Sequence, residues 1–86
     1  MSIFSVRDTK AGQFMTPWFA KSLAQAQRSF IQMSNNKESI INQFPADFSM
    51  YYIGEFDDES GEINSIKNGE HVMSAQSAIA VEKESI

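Results

Sequence analysis

One aromatic stretch near the middle of the chain decides the fold: S-M-Y-Y-I-G-E-F-D at residues 49–57. Its density of aromatic and β-branched residues is typical of a β-strand. Because neighbouring side chains of a strand point to opposite faces, one face is expected to carry Met50, Tyr52 and Phe56. The other face is expected to carry Tyr51, Ile53 and Glu55. This is the strongest strand prediction in the sequence.

The residues that follow this strand predict a hairpin. An acidic turn at residues 58–61 precedes a second strand at 62–66, and residues 67–70 are expected to form another turn. The acidic side chains at residues 57–62 are interpreted as a solvated hairpin end without a bound metal. Residues 71–81 fit either a short helix or a strand, and residues 82–86 are expected to form a frayed tail.

The residues before the strong strand predict a strand, an aromatic segment and a helix. Residues 3–7 are a predicted strand, and residues 8–12 are a predicted turn. The aromatic segment at residues 14–19 contains Pro17, which has no N–H for a strand ladder. This segment is therefore expected to be an edge strand or an extended loop.

The clearest helix is predicted at residues 22–34. Ser22 and Gln25 have the S-x-x-Q spacing of a capping box. Four apolar residues at 3-4-3 spacing predict the buried stripe Leu23, Ala26, Phe30 and Met33. A second, short helix is expected over residues 37–43 and should end before Pro45.

This order of elements predicts an α+β domain. We expect a mainly antiparallel sheet of three to four strands, with one main helix packed on one of its faces. The single domain is expected to span residues 1–81.

Composition narrows the class of protein. The chain has 86 residues and no cysteine, which excludes disulfides, thiolate chemistry and cysteine-based metal sites. It begins with a predicted strand rather than a signal peptide, and no apolar run has membrane-spanning length. We therefore expect a cytoplasmic protein without a membrane partner. Because a core of this size is marginal, assembly into a homo-oligomer would add buried surface.

No pattern in the sequence predicts a catalytic site. His71 is the only histidine, and no serine or cysteine nucleophile accompanies it in a recognisable motif. The acidic cluster lacks the spacing of a calcium loop, and the four glycines do not form a phosphate-binding loop. We therefore expect that the protein is not an enzyme and has no catalytic residues, metal ligands or cofactors.

Charge is distributed unevenly along the chain, although the net charge is −4. Residues 1–43 carry five basic and two acidic residues, whereas residues 44–86 carry two basic and nine acidic ones. Such an asymmetry between the two halves indicates an interaction surface. The alternative interpretation is that the asymmetry arises by chance, together with an acidic hairpin.

The basic half also contains aromatic residues, which suggests a nucleic-acid site. Cations that contact phosphates and rings that stack on bases are the usual elements of single-stranded DNA binding. The predicted DNA-binding residues are Arg7, Lys10, Trp18, Phe19, Lys21 and Arg28. Phe14 belongs to the same constellation. The alternative is that Phe14, Trp18 and Phe19 form part of the core.

Three stretches of the sequence resemble a viral family. They are F-S-V-R-D-T-K-A-G-Q-F-M-T-P-W-F at residues 4–19, P-A-D-F-S-M-Y-Y-I-G-E-F-D-D-E-S-G at residues 45–61 and A-I-A-V-E at residues 78–82. An R-D-x-K strand leading into an aromatic–proline segment, and a Y-x-[IL]-G-E-[FY]-D strand ending in an acidic turn, are similar to motifs of one group of phage proteins. That group is the small non-structural protein of gokushovirus-type microviruses, which are single-stranded DNA phages.

The resemblance implies a phage protein that is absent from the mature capsid and is described as DNA-binding. The protein would bind single-stranded DNA weakly during genome replication or packaging in the host cell. A second hypothesis is a protein–protein adaptor that contacts a phage or host replication protein without touching DNA. Salt dependence separates the two, because DNA binding weakens steeply as salt rises.

Overall fold

The computed structural model describes residues 1–84. The strands are β1 (Ser2–Asp8), β2 (Gln13–Phe14), β3 (Trp18–Ala20), β4 (Phe48–Phe56) and β5 (Ile63–Ser74). The helices are α1 (Leu23–Asn35), α2 (Ile40–Gln43) and α3 (Ala75–Glu84), with a 3₁₀ turn at Pro45–Asp47. The predicted α+β class is therefore confirmed.

The strands form one antiparallel sheet in the order β2-β1-β4-β5, and β3 pairs with the same edge of β1 as β2 does. The aromatic segment supplies both of these short strands. The chain leaves the sheet around Pro17, between β2 and β3. The segment is thus a broken edge strand, as its proline predicted.

The three helices cover one face of this sheet. Phe30 of α1 and Met50 of β4 are both fully buried, and Met50 faces the helices. The buried side chains from both layers form one cluster: Phe4, Val6, Ala20, Ala26, Phe30, Ile41, Phe48, Met50, Ala75 and Ala78. The core therefore lies between the sheet and the helix layer, and no helix of residues 1–84 covers the opposite sheet face.

The start of α1 follows the predicted capping pattern with one difference. The Ser22 hydroxyl accepts a hydrogen bond from the Gln25 N–H at 3.1 Å. The Gln25 side-chain oxygen accepts from the N–H of Lys21, at 2.9 Å, rather than from that of Ser22. In a capping box the side chain of the third residue bonds the N–H of the capping residue itself. Here that bond goes to the residue before it, Lys21.

The buried stripe of α1 differs from the prediction at its first position. Ala26 and Phe30 are fully buried and Met33 is half-buried, as the spacing predicted. Leu23 was expected in the core but is 51% exposed. As the first residue of α1, it lies at the margin of the helix layer and lines a surface cavity instead.

A β-bulge in β4 overturns the simple alternation predicted for that strand. Ile3 pairs with Gly54, but the next residue of β1, Phe4, pairs with Tyr52. Ile53 is therefore an extra residue with no partner on β1. Side chains beyond the bulge change faces relative to a regular strand.

The bulge moves two side chains of β4 to the opposite face. Glu55 accepts a hydrogen bond from the Tyr52 hydroxyl and therefore lies with Tyr52 on the helix side. Phe56 contacts Phe19 on the helix-free side. The predictions that Phe56 shares a face with Tyr52, and Glu55 with Tyr51, are wrong for this reason.

The turn predicted at residues 67–70 lies inside β5. Gly54 pairs with Ser65 and Tyr52 pairs with Glu70, so β5 advances five residues where β4 advances two. The Asn-Gly pair at residues 68–69 has positive φ angles of 64° and 70°. The turn-forming pair therefore makes an irregular bulge within the strand instead of ending it.

The ambiguous C-terminal region contains both a strand and a helix. Residues 71–74 complete β5, and α3 begins at Ala75 because the Ser74 hydroxyl accepts a hydrogen bond from the Ser77 N–H at 3.1 Å. Of the expected frayed tail, residues 82–84 belong to α3 and residues 85–86 lie outside the described residues. None of the described helices combines the length and apolar character needed to span a bilayer.

Candidate nucleic-acid interface

The sheet face that points away from the helices carries a row of rings. Phe14 and Tyr51 meet edge to face with their ring centroids 5.5 Å apart, and Tyr51 and His71 do the same at 5.4 Å. The guanidinium carbon of Arg7 lies 5.1 Å from the centroid of the Phe14 ring, within cation–π distance. The row therefore crosses the sheet from β2 to β5 and has a cation beside its first ring.

This row depends on a small residue in β1. Ser5 pairs with Tyr51 and is fully buried, and its hydroxyl donates a hydrogen bond to the Met15 carbonyl oxygen at 2.6 Å. Because Phe14 is on β2 and Tyr51 is on β4, their rings can meet only above the strand between them. Serine leaves room for that contact, and its hydrogen bond fixes the backbone next to Phe14.

A second aromatic pair lies at the other end of the same face. Phe19 on β3 and Phe56 on β4 meet edge to face at 5.7 Å, and Ile3, which pairs with Phe19, is only 5% exposed. Phe14 and Phe19 are themselves 41% and 49% exposed. We name as the aromatic face the surface formed by Arg7, Phe14, Phe19, Tyr51, Phe56 and His71.

The helix side of the sheet carries an acidic network instead. The Glu55 carboxylate accepts hydrogen bonds from the Ser2 hydroxyl at 2.6 Å and the Tyr52 hydroxyl at 2.5 Å. These bonds lower the pKa of Glu55, with Ser2 contributing most, because they stabilise the charged form. The bond to Glu55 likewise raises the pKa of the Tyr52 phenol. The carboxylate of Glu55 is thus held away from the aromatic face.

The acidic hairpin end is an exposed turn organised by its own backbone. The Asp57 carboxylate accepts from the N–H groups of Glu59 and Ser60, at 2.9 and 3.4 Å, and these bonds lower its pKa. Gly61 has a φ of 79°, which favours glycine there. Within residues 1–84, no group of three or more acidic or histidine side chains is arranged to hold a metal ion.

Two of the six predicted DNA-binding residues, Arg7 and Phe19, lie on the aromatic face. Trp18 lies on the helix side, where its ring packs 6.1 Å from that of Phe4. The Trp18 indole N–H is buried without a hydrogen-bond partner among the described residues. Its neighbour Phe19, one residue further along an edge strand, points the other way.

The structure distributes the other predicted cations around the molecule. Lys10 is exposed in the turn between β1 and β2, and Lys21 is exposed just before α1. Arg28 lies on the outer surface of α1, in a groove that it shares with Val81 of α3. The helix layer therefore separates Arg28 from the aromatic face.

Four residues of the aromatic face were not among the predicted site residues: Phe14, Tyr51, Phe56 and His71. Two signals in the sequence point to the row. The turn at residues 8–12 makes a hairpin that pairs Arg7 with Phe14, and the alternation in β4 separates Tyr51 from the buried Met50. The contribution of Phe56 depends on the bulge, which the sequence pattern did not indicate.

These features define a class: a small α+β domain whose sheet has helices on one face and exposed aromatic rings on the other. The chain belongs to the Phage ORF5 protein family, whose family model matches residues 1–78. That match spans all five strands and the start of α3, so the aromatic face lies wholly within it. No curated protein and no solved structure matches the chain.

Proposed function

We propose that this phage protein is a non-enzymatic accessory factor that binds single-stranded DNA weakly through its aromatic face during genome replication or packaging. The observation that carries the proposal is the row Phe14–Tyr51–His71, with Arg7 beside it. Exposed rings stack on bases, and a nearby guanidinium contacts the backbone phosphates. Membership of a phage protein family supports the biological setting.

The chemistry of this face favours single strands over duplex DNA. Stacking needs bases whose faces are free, and a duplex encloses those faces in its own stack. Duplex binding relies mainly on many contacts between cations and phosphates. Arg7 is the only arginine or lysine among the residues that form the aromatic face, and the net charge is −4. Affinity should therefore be low and should come largely from the rings.

The direct test is fluorescence anisotropy with a labelled single strand of about 12 nucleotides at low salt. Tyr51→Ala should weaken binding by about 1–3 kcal/mol, the usual contribution of one stacked base. Arg7→Ala should also weaken binding, because it removes the cation beside Phe14. Circular dichroism of each variant checks that the fold is retained.

Arg28→Ala is the matched control for Arg7→Ala, since it removes the same charge from the opposite side of the molecule. Its affinity for the labelled strand should equal that of the unmodified protein. Equal losses from Arg7→Ala and Arg28→Ala, or no binding at low salt, would contradict a site on the aromatic face.

A second candidate function, the protein–protein adaptor, is supported by the outer edge of the sheet. Strand β5 pairs with β4 on one side, and its other edge has no strand partner within the described residues. Such an edge can accept an added strand from a partner or from a second copy of the chain. Binding through this edge should be nearly independent of salt and insensitive to Tyr51→Ala.

A further inference from the structure

A cavity of about 430 Å³ opens near the edge of the sheet that β5 forms. It lies on the helix side, between this edge and the first turns of α1. Its walls combine aromatic, aliphatic and polar side chains: Ser2, Phe4, Leu23, Gln27, Tyr52, Glu70, His71 and Val72. The volume is in the range of small-ligand sites.

His71 connects this cavity to the aromatic face. Its ring contacts Tyr51 at the end of the row, and His71 is also one of the residues that line the cavity. Glu70 pairs with Tyr52 and lines the same cavity, one residue before His71 on the edge strand. A nucleic acid strand that follows the row from Phe14 past His71 would therefore reach the cavity mouth around the edge of β5.

The chemistry of the cavity fits a flat, aromatic group that donates hydrogen bonds. The rings of Phe4 and Tyr52, with centroids 5.5 Å apart, form an apolar wall, and Leu23 contributes a half-exposed aliphatic side chain. The Tyr52 hydroxyl is already bonded to Glu55. Glu70 therefore supplies the acidic acceptor at the cavity, and Gln27 adds an amide that both donates and accepts.

Charge excludes a phosphate as the occupant. None of the described residues that line the cavity is a lysine or an arginine, and both Glu70 and the Glu55 network place negative charge near Tyr52. A phosphate would be repelled, whereas an exocyclic amino group would find its preferred acceptor in a carboxylate. Thymine lacks such a group, while cytosine, adenine and guanine each carry one.

We propose that this cavity takes one nucleobase with an exocyclic amino group from the strand bound on the aromatic face. The inference rests on the proposed function and adds to it a base preference: cytosine or adenine over thymine. Stacking on the row is tolerant of sequence, so the preference would arise in the cavity, where Glu70 accepts from the amino group.

The test compares oligo(dC), oligo(dA) and oligo(dT) of equal length in the same anisotropy assay. We expect the unmodified protein to bind oligo(dC) and oligo(dA) about tenfold more tightly than oligo(dT), the ratio that a charge-assisted hydrogen bond of about 1.4 kcal/mol supplies. Glu70→Ala should abolish this ratio. Glu62→Ala is the matched control, because it removes an exposed acidic side chain from the hairpin end and should leave the ratio unchanged.

Leu23→Trp provides a second variant, since it fills the cavity from a half-exposed position without removing a core contact. It should lower the affinity for oligo(dC) to that for oligo(dT). Tyr51→Ala should instead weaken all three oligonucleotides by a similar factor.

The outcomes separate the two proposals. Equal affinity for the three oligonucleotides in the unmodified protein, or a preference that Glu70→Ala leaves unchanged, would overturn the cavity while leaving the aromatic face intact. Absence of binding by any oligonucleotide would overturn the proposed function and this inference with it.

Discussion

At the scale of single residues, small side chains determine how the aromatic face is built. Ser5 lies under the contact between Phe14 and Tyr51, and Gly54 pairs with Ile3, which is the strand partner of Phe19 in the second aromatic pair. A Cβ atom at Gly54 would lie only 2.7 Å from the Asn64 carbonyl oxygen on the neighbouring strand. The close approach of β4 and β5 therefore requires glycine at this position.

Gly54→Ala should accordingly destabilise the domain by about 1–3 kcal/mol, the usual cost of overpacking against atoms that cannot move. Urea denaturation followed by circular dichroism measures this change. Gly12→Ala is the comparison, because Gly12 has a φ of 69° but open space around it, so only backbone strain is added. A smaller loss for Gly54→Ala than for Gly12→Ala would mean that the strands can separate at little cost.

Glu55 makes a residue-scale contribution to the pH dependence of stability. Its pKa in the folded protein lies below the unfolded value, so the bonds from Ser2 and Tyr52 stabilise the fold fully above the unfolded pKa. That contribution is lost as the pH falls through the folded pKa. The pKa of Asp57 is also lowered in the folded protein, so its contribution to stability is likewise lost as the pH falls.

Glu55→Gln should therefore flatten the acid side of the stability profile. As the pH falls from the ordinary glutamate pKa to below it, the urea midpoint of the unmodified protein should fall more steeply than that of the variant. Asp57 is present in both proteins, so the difference between the two profiles isolates Glu55. Parallel profiles would show that the hydrogen-bonded carboxylate does not couple to folding.

At the scale of elements, helix α1 joins the core fully at Ala26 and Phe30 and partly at Met33, but not at Leu23. Ala26 and Phe30 are fully buried against the sheet, while Leu23 at the first turn is half-exposed. The apolar spacing of the helix predicted a longer stripe. The sheet margin, which is not visible in the helix sequence, sets where the stripe stops being covered.

Phe30→Ala and Leu23→Ala test this description as a pair. Phe30→Ala should cost about 3–5 kcal/mol, because it leaves a cavity in the only core that the described residues form. Leu23→Ala should cost less than about 1 kcal/mol, since much of the side chain is already in water. Thermal or urea unfolding measures both. Similar losses for the two variants would place Leu23 in the core after all.

At the scale of the whole molecule, charge and shape limit how DNA can be bound. The aromatic face and Arg28 lie on opposite sides of the helix layer, and Lys10 and Lys21 are exposed in loops. A single strand on the aromatic face can therefore contact Arg7 without contacting Arg28. The acidic second half of the sequence adds one lysine to the sheet, Lys67, which is exposed on β5.

The salt dependence of binding should reflect this small number of cations. One or two phosphate contacts give a log–log slope between roughly −0.7 and −1.4 on a single strand. Anisotropy titrations over a range of salt concentrations measure the slope. A value near about −3 would require four cations in contact with DNA and would show that the bound surface extends well beyond Arg7.

Much of the fold could be predicted from the sequence because it depends on local signals. The aromatic stretch around Tyr51 predicts β4, the S-x-x-Q pattern at Ser22 predicts the start of α1, and Pro17 predicts the broken edge. Each of these follows from the backbone preference or hydrogen-bonding capacity of a few neighbouring residues. Residues 71–84, which lack a comparable signal, became both strand and helix.

The candidate site depended on contacts between residues that are distant in the sequence. The sequence alone determined only which basic and aromatic residues were available to form it. Basic and aromatic residues in the N-terminal half predicted a nucleic-acid surface, and two of the predicted residues, Arg7 and Phe19, lie on one face of the sheet. Only the tertiary structure brought Phe14 of β2 against Tyr51 of β4, and Tyr51 against His71 of β5. It also turned Trp18 toward Phe4.

The bulge at Ile53 shows the physical reason for this division. In a strand the face of each side chain alternates, so one extra residue reverses every face beyond it. The bulge is set by the register in which β1 pairs with β4, between segments that are far apart in the sequence. The sequence therefore determined the strand and the chemistry of Phe56 and Glu55, and the pairing of the sheet decided that the ring faces solvent while the carboxylate faces the helices.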